Sequence, residues 1–379
     1  MMLFNPYFWF FLFCQFLIFV YIVNRVSFHP RRIIPEGFWV VLWTLFFAAL
    51  ETFFIIRLAH AWDFDPESFM GLPVQWKVFV AASALWVLFM AVNHLEWHWF
   101  RVQKVPAHMT RQAFPNHPPR FKLPLAFLEK LFIDNQLYDL EVVEYEVPLP
   151  GWPEAFSGLS IVQVSDIHFG KYIHKDFLRM VVEEAKKLKP DLYTFTGDFV
   201  SFAKDIPAMR GLLRGFKAPL GAYALLGNHD HWADGPGMRK ALEDDGFRVL
   251  QNEVVYLKRK GKTLALLGVD DLWEGKKNEA PLLAAKGDAK ILLAHQPDHF
   301  YLAKKLGVNL QISGHCHGGQ ICFPVIGPLI VPTVQGRKYA AGFMREKGVT
   351  LFIHRGIGGF PPIRTLCRPQ VVKLVLKSA

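Results

Sequence analysis

Five short apolar runs each break off at an aspartate, an asparagine or a histidine, and this pattern constrains the fold more than any other feature of the chain. Residues 159–165 (LSIVQVS) stop at Asp166 and His168, and residues 192–196 (LYTFT) stop at Gly197 and Asp198. Residues 222–226 (AYALL) lead into Gly227, Asn228, His229 and Asp230. Residues 290–294 (KILLA) end at His295, and residues 310–313 (LQIS) end at Gly314, His315, Cys316, His317 and Gly318. Short runs rich in Val, Ile, Leu and Phe and bounded by Gly read as buried strands. Helical periodicity falls between them at 175–189, near 207–216 and at 237–246. Strand and helix in alternation describe an α/β layered domain.

That architecture has a geometric consequence. In layered α/β domains, reactive groups gather beyond the carboxyl ends of the strands, so the five breaks should converge. The side chains they deliver are Asp166, His168, Asp198, Asn228, His295, His315 and His317. Oxygen and imidazole donors together suit Mn, Fe, Co, Ni or Zn better than Mg or Ca. Seven donors exceed what one ion needs, so two ions sharing a carboxylate is the economical arrangement. Two metals roughly 3.5–4 Å apart clamp a phosphoryl group and acidify a water between them. A lone DxH or GD recurs by chance, and a lone His295 is more often a satisfied core histidine. GNHD, GHCHGG and the fixed order of all five carry the signal.

The series DIH, GD, GNHD, a lone His and GHCHGGQ resembles the calcineurin-like metallophosphoesterase family over residues 140–379. The following text, Ile321–Pro332, then Arg355-Gly-Ile-Gly-Gly and Pro362-Ile-Arg364, is similar to its bacterial membrane-anchored branch. The resemblance implies a layered sandwich of mixed sheets flanked by helices. It also implies a binuclear centre of divalent transition-metal ions, manganese first, with Fe, Zn, Co or Ni as alternatives. Asp166, His168 and His317 would hold one ion, Asn228, His295 and His315 the other, and Asp198 would bridge them. A metal-bridged hydroxide would attack phosphorus in line. His229 matches the histidine that stabilises or protonates the leaving oxygen, with the catalytic Asp230 close behind it. Two positions depart from the pattern. Ser201 stands where the family often has a second aspartate, so Asp205 or Asp230 must substitute or activity is lower. Cys316 stands where Thr is more usual, which reads as a small buried spacer.

The N-terminal part carries a different signal. Hydrophobic residues make up 52% of the 379 residues and charged residues only 20%, too apolar for a disordered chain or an ordinary soluble enzyme. Three apolar runs, at about 3–24, 37–56 and 78–95, have the length of membrane spans, and they predict an all-α transmembrane portion ahead of the α/β domain. Glu51 is the single charge in the second run and reads as lying near a helix–helix contact. Residues 25–36 and the stretch after 96 are rich in Arg and Lys, whereas the intervening loop holds Asp63, Asp65 and Glu67. Positive loops stay inside, so the catalytic domain is expected on the cytoplasmic side of a bacterial inner membrane. The expected organisation is 1–96 as transmembrane helices, 97–139 as a basic juxtamembrane linker with a short amphipathic segment, and 140–379 as the catalytic domain. The four cysteines form no CxxC pair, which excludes a zinc ribbon and a disulfide framework.

Lys and Arg outnumber Asp and Glu by 43 to 33, which favours anionic partners. After Asp298 the only acid is Glu346, against eleven Lys or Arg residues. Arg364 and Arg337 are candidate phosphate clamps, because guanidinium grips phosphate oxygens in bidentate fashion. The chargeless loop Ile321–Pro332 follows the last ligands and suggests a substrate at the membrane. One reading is therefore a lipid-linked substrate such as UDP-2,3-diacylglucosamine, cleaved at its pyrophosphate in lipid A synthesis, with membrane lipids as partners. A broad phosphodiesterase or phosphatase on soluble substrates has the same ligands, and a non-catalytic membrane scaffold also remains open. Nucleic acid is not an expected partner, since the catalytic part carries no module for it.

Overall fold

The computed structural model describes residues 135–379 apart from 324–326, 329 and 360, together with the pair 112–113 and scattered positions within 14–18 and 70–88. The expected spans at 3–24, 37–56 and 78–95 lie almost wholly outside the described residues, as does most of the 97–139 linker. Among the described residues no helix is long and apolar enough to cross a membrane. The chain divides into two units, residues 1–102 with 334–338, and residues 103–333 with 339–379. The second unit contains all five apolar runs that end at Asp, Asn or His.

In chain order its strands are β1 (Gln112–Ala113), β2 (Glu141–Leu149), β3 (Leu159–Val164), β4 (Leu192–Thr196), β5 (Ala222–Leu225), β6 (Arg248–Val249), β7 (Glu253–Arg259) and β8 (Lys262–Gly268). They continue as β9 (Ala289–Leu293), β10 (Leu310–Ser313), β11 (Cys322–Phe323), β12 (Gly327–Pro328), β13 (Gly342–Glu346), β14 (Val349–Ile353) and β15 (Gln370–Ser378). One large sheet has the order β1-β2-β15-β3-β4-β5-β6 and the other β13-β14-β10-β9-β8-β7, while β11 and β12 form a separate two-stranded ribbon. Both sheets are mixed. β3, β4, β5 and β6 run parallel while β15 opposes β3, and β8, β9, β10 and β14 run parallel between two antiparallel edges.

The alternation of side chains along each strand explains the layers. Leu159, Ile161, Leu192 and Leu225 of the first sheet meet Leu264, Leu266, Ile291, Leu293, Leu310 and Ile312 of the second in one buried cluster. The opposite faces, through Val162, Val164, Tyr193 and Phe195, pack on Leu178, Val181 and Ala185 of the helix Lys175–Lys187. Parallel strands covered on both sides carry near-continuous apolar runs, which is why these five runs stood out in the sequence.

The strand bounds agree with the sequence reading to within a residue or two, and the helices differ in two places. The stretch near 207–216 is helical only over Ile206–Met209, because Gly211 and Gly215 take positive φ of 79° and 93° and stop the turn. The helix expected at 237–246 starts nine residues earlier, spanning Asn228–Asp244, with a kink at Asp234 just before Pro236. That early start has a functional consequence, since it places Asn228, His229 and Asp230 in a first helical turn at the end of β5.

Candidate metal centre

All five strand ends deliver their side chains to one place. Ligand atoms of Asp166, His168, Asp198 and His317 lie within 4.8 Å of one another, and so do those of Asp198, His295 and His315. Every one of these residues is buried, and Asp198 belongs to both groups. Asn228 joins the second, its Oδ1 lying 3.2 Å from His295 Nε2. Five of the residues hold left-handed backbone, with φ of 54° at Asp166, 48° at His168, 57° at Asp198, 68° at His315 and 50° at His317. Such a conformation costs roughly 1 kcal/mol or more for a residue other than Gly. Five in one cavity mark a site whose geometry is imposed by the surrounding sheets.

The ring orientations are set from behind. His295 Nδ1 donates to the Thr196 carbonyl at 2.5 Å, and His317 Nδ1 donates to the Gly358 carbonyl at 3.3 Å. Each therefore turns its Nε2 inward. The Nε2 atoms of His168 and His317 stand 3.2 Å apart, and His295 Nε2 is 3.3 Å from the Asp198 carboxylate. Acceptor nitrogens and carboxylate oxygens facing one another at these distances repel unless a cation lies among them. The donor set fits a divalent dinuclear centre on that ground. His168 is held by a hydrogen bond between its Nδ1 and Ser201 Oγ at 2.9 Å. Ser201 itself therefore does the orienting expected of Asp205 or Asp230.

The electrostatics show how dry the site is. Burial, next aided by the neighbouring Asp198 charge, holds the Asp166 carboxyl up at about 7. Burial would also raise Asp198, but His295 and His229 outweigh it and hold that carboxyl well below the usual range. Burial opposes charge on His295 as well, yet the adjoining Asp198 keeps it up at about 10. His168 is pushed down to about 3, mainly by burial and then by His229. Burial also lowers His315 and His317. Neutral His168, His315 and His317 beside an ionised Asp198 are the protonation states a metal site requires, and a cation bound there would displace the proton that Asp198 otherwise keeps on His295.

His229 lies beside this cluster rather than in it. Its ring meets His168 edge to face with centroids 4.6 Å apart, and on its other side Trp232 at 4.8 Å. Its backbone N–H donates to Asp198 Oδ1 at 3.0 Å. The expected catalytic role of Asp230 needs correction. Its carboxylate accepts the backbone N–H groups of Asp198 at 2.8 Å, Phe199 at 2.8 Å, Val200 at 3.2 Å and Gly227 at 3.0 Å. Fully buried and spent on the backbone, it clamps the Asp198 loop to the helix start and has no lone pair left for a reacting proton. Cys316 is fully buried between its two histidines.

The role expected of Arg364 also needs correction. Arg364 is completely buried, and its guanidinium donates to the carbonyls of Gly358 at 3.0 Å, His317 at 3.3 Å, Cys367 at 3.1 Å and Arg355 at 2.8 Å. A fork already filled by carbonyls does not clamp a phosphate; it fixes the loops behind His317. Arg337 belongs to the 334–338 segment that groups with the N-terminal unit. Replacing Arg364 by Leu should destabilise the domain by at least about 3 kcal/mol in urea, because several buried carbonyls lose their donors together. An unchanged unfolding midpoint with a raised KM would restore the clamp.

With this geometry in hand, the relatives are informative. The calcineurin-like phosphoesterase family pattern matches residues 159–319, a span that contains all seven candidate ligands and His229. The chain is 34% identical over 247 residues to the uncharacterized metallophosphoesterase YkuE of Bacillus subtilis, covering 63% of this chain and 86% of that protein. It is 28% identical over 246 residues to the phosphodiesterase YaeI of Escherichia coli, covering 60% and 89% respectively. Over 281 residues it is 27% identical to the UDP-2,3-diacylglucosamine pyrophosphatase LpxG of Chlamydia muridarum, covering 56% of this chain and 82% of the relative.

Proposed function

The chain belongs to the calcineurin-like metallophosphoesterase family, and from that premise we propose that it is a membrane-anchored enzyme cleaving a phosphoester or pyrophosphate bond in a lipid-linked substrate. It is a metal-dependent phosphoester hydrolase, and the observation that carries the reaction is the pair of donor clusters joined at Asp198. Two divalent ions, when bound, neutralise phosphoryl oxygens and lower the pKa of a water. In our assignment Asp166, His168 and His317 hold one ion, manganese first, and Asn228, His295 and His315 hold the other, with Asp198 common to both. The Ser201, Thr196 and Gly358 hydrogen bonds keep the rings aimed. Burial lowers His229, so it is neutral and still carries one N–H, which suits it to donate to the leaving oxygen.

The lipid-linked substrate rests on the surface beside the centre. Phe202, Trp232 and Leu366 are exposed by 52%, 39% and 57%. Phe202 follows the serine that orients His168, Trp232 touches His229, and Leu366 lies in the Arg364–Cys367 turn that Arg364 secures. Exposed apolar groups gathered about a hydrolytic site suit acyl chains better than free phosphate esters. The name of LpxG supports the same class. We assign the apolar runs within 1–96 to the anchor, 97–139 to a linker at the leaflet, and 140–379 to a catalytic domain on the cytoplasmic side of the bacterial inner membrane.

The test uses the full chain in detergent with Mn²⁺ and follows phosphorus products from UDP-2,3-diacylglucosamine beside bis-p-nitrophenyl phosphate. UMP and the lipid phosphate are the expected products. Turnover of the small ester alone would remove the lipid assignment and leave the soluble phosphodiesterase reading, which the name of YaeI favours.

A further inference from the structure

The loop after β8 is tied down more firmly than a surface connection needs. Asp270 accepts the side chain of Gln251 at 2.7 Å and the backbone N–H groups of Asp271 at 2.9 Å and Lys276 at 2.7 Å. Asp271 accepts the N–H groups of Trp273 at 2.9 Å and Glu274 at 2.8 Å, and the side chain of Gln296 at 2.5 Å. Gln296 accepts the Leu272 N–H at 3.0 Å and directly follows His295. His231, two residues beyond His229, adds a contact to Asp270 at 3.3 Å. Both aspartates are buried. The loop is therefore referenced to the centre from two sides.

What it delivers there is Trp273. The indole meets the His315 ring edge to face with centroids 4.5 Å apart. Its Nε1 is buried and has no hydrogen-bond partner among the described residues. A buried indole N–H ordinarily finds an acceptor. An unpaired one at the end of a fixed loop, against a candidate metal ligand, is a donor held ready for something that enters. Arg364, one of the two arginines that sequence reading assigned to the phosphoryl group, is spent on carbonyls behind His317. Packing alone would be served as well by Phe, without a buried N–H to satisfy.

We infer that the Trp273 indole N–H is a substrate-positioning donor that binds a non-bridging oxygen of the phosphoryl group at the His315 end of the centre. The ligand class is a tetrahedral phosphorus oxyanion, met by a single hydrogen bond with no proton transferred. This rests on the phosphoesterase reading and adds the residue that orients its substrate.

Trp273→Phe keeps a ring against His315 and removes only the N–H. In the metal-loaded full chain, we expect unchanged metal content and melting temperature. The Kd for inorganic phosphate, by calorimetry, should weaken roughly tenfold or more, and kcat/KM on bis-p-nitrophenyl phosphate should fall by a similar factor. Trp273→Ala should weaken phosphate at least as much. Phosphate affinity unchanged in Trp273→Phe overturns the inference, as does loss of metal in that variant, which would make the indole a support for His315. A wild-type chain that binds no phosphate overturns it too. A chain that binds phosphate through Trp273 yet hydrolyses no ester would leave the inference standing and remove the hydrolase reading instead.

Discussion

Asp198→Ala is expected to lose both metal ions and to lower kcat/KM by roughly a thousandfold or more, since the ions supply several kcal/mol of charge stabilisation. Among the described residues no other belongs to both donor clusters. Its carboxylate is buried, stands 3.6 Å from His168 Nε2 and 3.3 Å from His295 Nε2, and is held well below the usual carboxylate range by His295 and His229 against the effect of burial. Without it, the two sets of imidazoles keep Asp166 as the one carboxylate in a donor cluster among the described residues. The measurement is metal per chain by elemental analysis beside turnover of a phosphodiester. A variant that keeps two ions and stays within tenfold of wild type would break the shared-carboxylate assignment. Loading of the wild type should also depend on pH. Burial holds Asp166 up at about 7, and a protonated carboxyl competes with metal, so affinity should be full above that value and fall as pH drops through it.

How much of this was legible in the sequence differs from residue to residue. The ligands were, because each sits directly after an apolar run and the runs are the sheet. The glycines before them were legible for a steric reason: a Cβ at Gly227 would lie 2.1 Å from Asp198 Oδ1, and one at Gly314 would lie 2.0 Å from Ser165 Oγ. The place of β15 between β2 and β3 was not legible, since no local pattern records which strands pair over such separations. Asp230 and Arg364 were misread for one shared reason. Their partners are backbone N–H groups and carbonyls, which every residue possesses and no sequence pattern advertises. Trp273 escaped notice because its meaning lies in an unpaired atom next to His315. The pair of aspartates before it, Asp270 and Asp271, was the available signal, being two adjacent carboxylates directly after the apolar run of β8.

His229→Gln tests the other half of the mechanism, because it should cost about 10²–10⁴ in kcat while leaving the metals in place. His229 is in neither donor cluster, and the contact it makes to Asp198 comes from its backbone N–H, which the substitution preserves. The loss should therefore fall on kcat with KM and metal content little changed. Its size should also depend on the leaving group. An alkoxide leaves poorly and needs a donor at its oxygen, whereas a p-nitrophenolate is stable enough to leave with little help. A ring placed to assist the leaving oxygen should matter most for alkyl phosphodiesters and least for p-nitrophenyl esters. Equal losses on both would show that His229 acts before the bond breaks, by holding His168 through the 4.6 Å ring contact, and would move it from the reacting atoms to their support.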